Sequence, residues 1–134
     1  LDFTKLAKTE AFLEGIKRIE NGLEKGYTIA FMCAEKDPTD CHRSTLVARK
    51  FAEMGYEVRH ILHDGTLETH AHMEQRMKEE FCEPVDQIDL FGPIKTEAEK
   101  LEEAYARCSK EVFIVNAKRV LKDDYDFPKP NPNG

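Results

Sequence analysis

Phe12, Ile16, Ile19 and Leu23 recur at steps of four, three and four. That spacing places them on one stripe of an amphipathic helix that starts near Thr9 and stops at Gly26. Tyr27 to Cys33 (Y-T-I-A-F-M-C) is then an almost unbroken apolar run, the pattern of a strand buried on both faces. After the polar loop Ala34 to Asp40, with its Asp37-Pro38, Thr39 or Asp40 is placed to cap a helix from about Cys41 to Met54. Its expected inner stripe is Val47, Phe51 and Met54. Gly55 ends it, and Tyr56 to Leu62 reads as a second strand closed by the turn signal Asp64-Gly65. Helix, strand, helix, strand in this order implies a parallel pair with a right-handed crossover. The expected fold is α/β, a small parallel sheet with flanking helices in three layers or a truncated two, and a helical carboxyl-terminal part. Leu67 to Phe81 reads as a helix and Cys82 to Lys95 as an irregular connection carrying Pro84 and Gly92-Pro93. Ala98, Leu101, Tyr105, Cys108, Val112 and Val115 keep a helical step, yet Val112 to Val115 is also β-prone. A helix is expected to about Ser109, with Glu111 to Asn116 open between helix and strand. Pro128, Pro130 and Pro132 exclude regular pairing near the end, so residues 1–125 are expected to form one domain and 126–134 a flexible tail.

Composition narrows the function classes. The 134 residues are one domain's worth, 40% apolar and 34% charged, which excludes a disordered or collagen-like chain. With 26 acidic against 20 basic side chains, the net charge of -6 repels polyphosphate, so nucleic acid is not an expected partner. No run approaches the ~20 apolar residues that span a bilayer, and the amino terminus lacks a signal-peptide layout. A cytoplasmic protein without a membrane partner is expected, monomeric or oligomeric. Four cysteines are too few for a disulfide scaffold and are expected to be reduced. The chain begins at Leu1 and is expected to be a piece of a longer protein.

In a parallel sheet the carboxyl ends of strands and the following helix starts converge on a ligand crevice. The first strand end here carries Cys33 and Glu35 and leads to Cys41-His42-Arg43; the second carries His60, His63 and Asp64. A cysteine in the first turn of a helix lies in the field of unpaired N–H groups, and a neighbouring imidazole and guanidinium favour the thiolate further, so Cys41 is a candidate nucleophile. The same N–H groups with Arg43 make an anion site. His42 or His60 would move a proton. Glu35 and Asp64 are the carboxylates expected to face the crevice, as orienter or general base, and Asp64 also as a substrate contact. The bland alternative is that Cys41 packs as a small hydrophobe while Arg43 pairs with Glu35 or Asp37. Zinc is a second alternative, through Cys33, Cys41, His42 and His60 or His63, although a Cys-x7-Cys spacing is not a zinc knuckle. Otherwise no cofactor is expected. His70 and His72, two apart, are expected to be solvated, Asp37 to be an ordinary loop carboxylate, and Cys82 and Cys108 to be packing residues. In phosphatase-like and rhodanese-like loops an arginine stands six positions after the cysteine; here that position is Thr39, so only the strand-cysteine-loop-helix layout is shared.

Phe31-Met32-Cys33-Ala34-Glu35-Lys36-Asp37-Pro38, then Cys41-His42-Arg43, then Val58 to Leu62 with Asp64-Gly65, resembles the second half of the family called domain of unknown function 488. Asp89-Leu90-Phe91 and Glu103-Ala104-Tyr105 resemble its carboxyl-terminal part more weakly, so the resemblance runs from about Phe12 to Tyr105. It implies an intracellular α/β domain without an established activity, and marks Cys33, Glu35, Cys41, His42, Arg43 and His60 as site candidates. The family's amino-terminal half, with its Asp-Val-Arg-type motif, is expected to be missing. The reading is therefore an enzyme domain binding a phosphate- or nucleotide-bearing small anion, or else a non-catalytic ligand-sensing or interaction module with a structural Cys/Glu/His/Arg network.

Overall fold

Asp2 begins the first helix by accepting the Thr4 and Lys5 N–H groups at 3.0 and 3.3 Å, and α1 (Phe3–Leu6) buries Phe3. In the computed structural model, which describes residues 2–82 and 95–122, α2 (Glu10–Glu24) starts at Thr9 as its stripe predicts. Thr9 Oγ1 accepts the Phe12 N–H at 3.4 Å. Gly26, at φ +86°, ends it: its N–H reaches Leu23 O at 2.9 Å while the Tyr27 N–H reaches Gly22 O at 3.1 Å. This paired closure requires a left-handed residue after the helix, which glycine adopts without strain.

The segment from Asp37 to Glu53 departs from a plain capped helix. Asp37 caps a 3-10 turn (Pro38–Asp40), its Oδ1 taking the Thr39 N–H at 2.9 Å, and the helical stretch after it starts from His42 without the side-chain cap expected of Thr39 or Asp40. A π-helical stretch (Arg43–Ala48) follows and runs into α3 (Arg49–Glu53). The wider turns rotate the inner face, so Ser44, Thr45, Ala48 and Phe51 are buried, whereas Val47 is half-buried and Met54 exposed. Gly55 then closes α3 as Gly26 closes α2, with the Tyr56 N–H on Phe51 O at 3.0 Å.

The fold is mixed α/β, but the parallel sheet is not what forms. The ladder among the described residues is an antiparallel hairpin, β1 (Arg59–Ile61) against β2 (Leu67–Thr69), with His60 opposite Glu68. Asp64-Gly65 makes its turn as expected: Asp64 Oδ1 takes the Thr66 N–H at 2.9 Å, and the Leu62 N–H meets Thr66 O at 2.9 Å. The stretch from Leu67 to Thr69, expected as helix, is thus the second strand. Tyr27 to Cys33 is exposed throughout and joins no ladder, with Met32 95% exposed. A continuous apolar run reports a capacity for burial; a strand also needs a neighbour to accept its backbone, and the described residues provide none. Within that run Phe31 stacks on Phe51, ring centroids 6.1 Å apart.

Thr69 caps α4 (His70–Phe81) through the His72 N–H at 3.2 Å. The last helix, α5 (Glu97–Lys122), carries the 111–116 stretch as helix. Met77 of α4 and Ala104, Tyr105, Cys108 and Val112 of α5 pack together, so the expected α5 stripe holds at Leu101, Tyr105, Cys108 and Val112, while Ala98 is exposed. Cys108 is a packing residue as read, donating to Thr39 O at 3.0 Å and tying α5 to the 3-10 turn. Cys82 donates to Lys100 O at 3.3 Å. Among the described residues no helix is long and apolar enough to cross a membrane. The connection around Pro84 and Gly92-Pro93, the Asp89-Leu90-Phe91 motif and the Pro-rich tail lie outside the described residues.

Candidate functional site

The strand-end cysteine and the helix-start cysteine meet, with their expected roles exchanged. Cys41 is 2% exposed, and burial, reinforced by the neighbouring Cys33, pushes its thiol up to about 11. The Arg43 N–H reaches its sulfur at 3.3 Å but does not offset the burial. Cys33 is exposed. Its small desolvation raises the thiol, but the Cys41 thiol donating to it, the Glu35 backbone N–H and the Arg43 charge together hold it below its ordinary value. The expectation that the helix start acidifies Cys41 is therefore corrected: a thiolate there would lose its water, whereas Cys33 keeps its hydration and still gains the donors. Glu35, half-buried, opposes the shift through its own charge. Arg43 also reaches back to Phe31 O at 3.5 Å, holding the exposed segment to the helix start. One residue on, Ser44 is fully buried, with an Oγ that has no hydrogen-bond partner among the described residues.

His42 goes elsewhere, its ring edge-on to Phe3 at 5.0 Å and 80°. His60 is buried on the inner face of the hairpin, and burial, then the neighbouring His70 and the Arg43 charge, lowers it to about 4. Its Nε2 lies 3.0 Å from His70 Nδ1; His70 Nε2 lies 2.9 Å from Tyr105 Oη, and Tyr105 donates to Glu74 Oε1 at 2.7 Å. The directions of these bonds follow from one end. A carboxylate only accepts, so the single Tyr105 proton points at Glu74 and Oη must accept from His70 Nε2–H. Where that Nε2–H is the one ring proton of His70, its Nδ1 is bare and His60 Nε2–H is the donor. The chain runs His60 to His70 to Tyr105 to Glu74. Glu74 is held below its ordinary value despite the burial that opposes it, because the His70 ring stands 3.4 Å away, the Tyr105 hydroxyl donates to it and the Arg49 charge is near. Burial and that carboxylate push Tyr105 well above the usual phenol range.

The expectation that His70 is solvated is thereby overturned: it is 4% exposed and central to the chain. Thr69 starts its helix, so His70 shares a face with Met73 and Met77, a pattern visible once the start is placed at Thr69 rather than before Leu67. His72 does remain exposed, though bound to Glu68 at 2.8 Å. The sequence reading also missed Glu68 and Arg76. Arg76 bridges Glu68 (3.0 Å) and Asp37 (3.0 and 3.3 Å), tying the loop before Cys41 to α4; Asp37 is thus a structural acceptor rather than an ordinary loop carboxylate. Asp64 is spent on the hairpin turn, where the Thr66 hydroxyl and N–H hold it below its usual value. Among the described residues no three His, Cys, Asp or Glu side chains gather into a set that holds a metal ion. A cleft of about 640 Å³, lined by none of the cysteines, lies between α1, the π-helical stretch and α5. Arg49 sits in it with its guanidinium 4.1 Å above the Tyr105 ring.

Residues 2–49 match the family model of the Domain of unknown function DUF488. The match supports the resemblance but corrects its extent. It lies in the amino-terminal region of the chain, takes in both cysteines and Arg43, and stops short of Val58 to Leu62 and Tyr105. No curated protein and no solved structure matches the chain.

Proposed function

We propose that the chain is an enzyme domain acting on a small phosphate- or nucleotide-bearing anion, with Arg43 holding the anion and Cys33 as the nucleophile. The observation that carries this reading is the exposed Cys33 sulfur set among three favourable partners: the Cys41 thiol, the Glu35 N–H and the Arg43 charge. A low-lying thiolate beside a planar bidentate cation suits attack on an electrophilic centre adjoining the bound charge. Of the two imidazoles, His60 stands close enough to Arg43 to feel its charge, whereas the His42 ring is packed on Phe3. Cys41 acts as the donor to Cys33 rather than as the attacking group. Glu35 flanks the sulfur and suits orientation of the substrate's proton-bearing group.

The Arg76 ties to Asp37 and Glu68 favour a second reading, a non-catalytic module in which the same loop is a structural network. Alkylation of the folded protein against pH, resolved by mass at each cysteine, separates them. The enzyme reading expects Cys33 to react first, with an apparent pKa below the ordinary value of 9.0, and added inorganic phosphate to slow it. Four slow cysteines indifferent to phosphate would sink it in favour of the module.

A further inference from the structure

We infer that Cys33 and Cys41 form a hydroperoxide-reactive pair that closes to an intramolecular disulfide. The inference rests on the reading of Cys33 as the reactive thiolate and adds a co-reactant and a product to it. The geometry divides the two roles that such chemistry requires. The peroxidatic sulfur must be open to solvent, and Cys33 is exposed on a stretch that belongs to no helix or ladder. The resolving sulfur must be near and shielded from other thiols: Cys41 is 2% exposed, and Arg43 holds the two stretches together, its N–H on the Cys41 sulfur at 3.3 Å and its guanidinium on Phe31 O, two residues before Cys33, at 3.5 Å. The remaining cysteines are committed elsewhere, Cys82 to Lys100 O and Cys108 to Thr39 O. Because the Cys33 backbone has no ladder bonds to break, it can close the last gap to the anchored Cys41 at little cost.

The chemistry balances. The Cys33 thiolate attacks the distal oxygen of a hydroperoxide, an S–O bond forms, the O–O bond breaks, and the departing alkoxide or hydroxide takes from solvent the proton that the thiol released on ionising; Cys33 keeps the hydroperoxide O–H as a sulfenic acid. Cys41 sulfur displaces the hydroxyl, the S–S bond forms, and water leaves with the Cys41 proton. Two thiols lose two electrons in all, and the peroxide is reduced by two.

The test treats the reduced full chain with stoichiometric hydrogen peroxide, blocks remaining thiols and maps the digest by mass. The expected result is a linked Cys33–Cys41 peptide pair that reductant releases, with Cys82 and Cys108 still alkylated. Cys33→Ser should abolish the link and leave Cys41 a free thiol, while Cys41→Ser should leave Cys33 as a sulfenic acid that dimedone captures. Because the link is read on the wild-type chain, it does not depend on either variant folding. If Cys33 shows an acidified, phosphate-sensitive thiol but both cysteines stay alkylatable after peroxide, the redox pair is refuted and the enzyme reading stands. A link to Cys82, or between two chains, also refutes it. If Cys33 lacks acidified reactivity altogether, both readings fall together.

Discussion

Replacing Tyr105 by Phe removes one oxygen from the middle of the buried chain and nothing else. The ring stays, so its packing in the core and the Arg49 guanidinium above it are kept. What is lost is the 2.7 Å donation to Glu74 and the 2.9 Å acceptance from His70. A hydrogen bond to a charged group contributes about 1.5–3 kcal/mol, and the neutral one about 1 kcal/mol. Part is recovered, because His70 Nε2 lies 3.4 Å from Glu74 Oε1 and can move in to satisfy it. The net cost expected at pH 7 is about 2 kcal/mol, read by urea denaturation as a midpoint lowered by roughly 1 M at an m of about 2 kcal/mol/M. Acid supplies a second check. Glu74 sits below its unfolded value of 4.5, so the stability it supplies is whole above that pH and is lost as pH falls through its folded value. The variant has less of this to lose, so the gap between the two proteins should narrow below pH 4.5. A change under about 0.5 kcal/mol at pH 7, within the range of ordinary surface substitutions, would refute the directional chain.

The His60 imidazole, lowered from 6.5 to about 4, is held neutral by the fold, so between those values the unfolded chain binds a proton that the native chain does not. Stability should therefore be whole above pH 6.5 and fall toward pH 4, by up to about 3 kcal/mol at ~1.4 kcal/mol per unit, and His60→Gln should flatten that limb of the curve; parallel curves would overturn the assignment. A Cβ on Gly15 or on Gly26 meets nothing within 4 Å, so the two differ only in backbone. Gly15→Ala, inside α2, should stabilise by about 0.5–1 kcal/mol, whereas Gly26→Ala, at φ +86°, should cost about 1 kcal/mol or more in thermal or urea melts.

Local signals carried well from sequence to structure, and pairing signals did not. Thr9, Gly26, Gly55 and Asp64-Gly65 act within a few residues of themselves, and the structure uses each at its expected place. The stripe through Leu101, Tyr105, Cys108 and Val112 was legible for the same reason, since a helix satisfies its own backbone. The Tyr27 to Cys33 run was misread because ladder formation depends on a distant neighbour. The hairpin was obscured by an inverted pattern. Its middle pair, His60 and Glu68, is polar and turned inward, while Ile61 and Leu67 face out, since the space beneath holds His70 and Arg76 rather than a hydrocarbon core. At the candidate site the cluster of cysteines and Arg43 was visible from spacing. Which sulfur ionises was not, because that turns on burial, and burial separates two cysteines of the same sequence neighbourhood.

The exposed run from Tyr27 to Cys33 also bears on how the protein behaves at high concentration. Seven consecutive residues without a charge or a proline, rich in aromatic and β-branched side chains, make a template onto which an identical segment can add. Lys25 stands at one end and Glu35 and Lys36 at the other, charged gatekeepers whose repulsion limits such stacking. Substituting Lys25 or Lys36 by a neutral residue would remove that guard from the stretch that carries Cys33, and self-association would then compete with access of solutes to the sulfur.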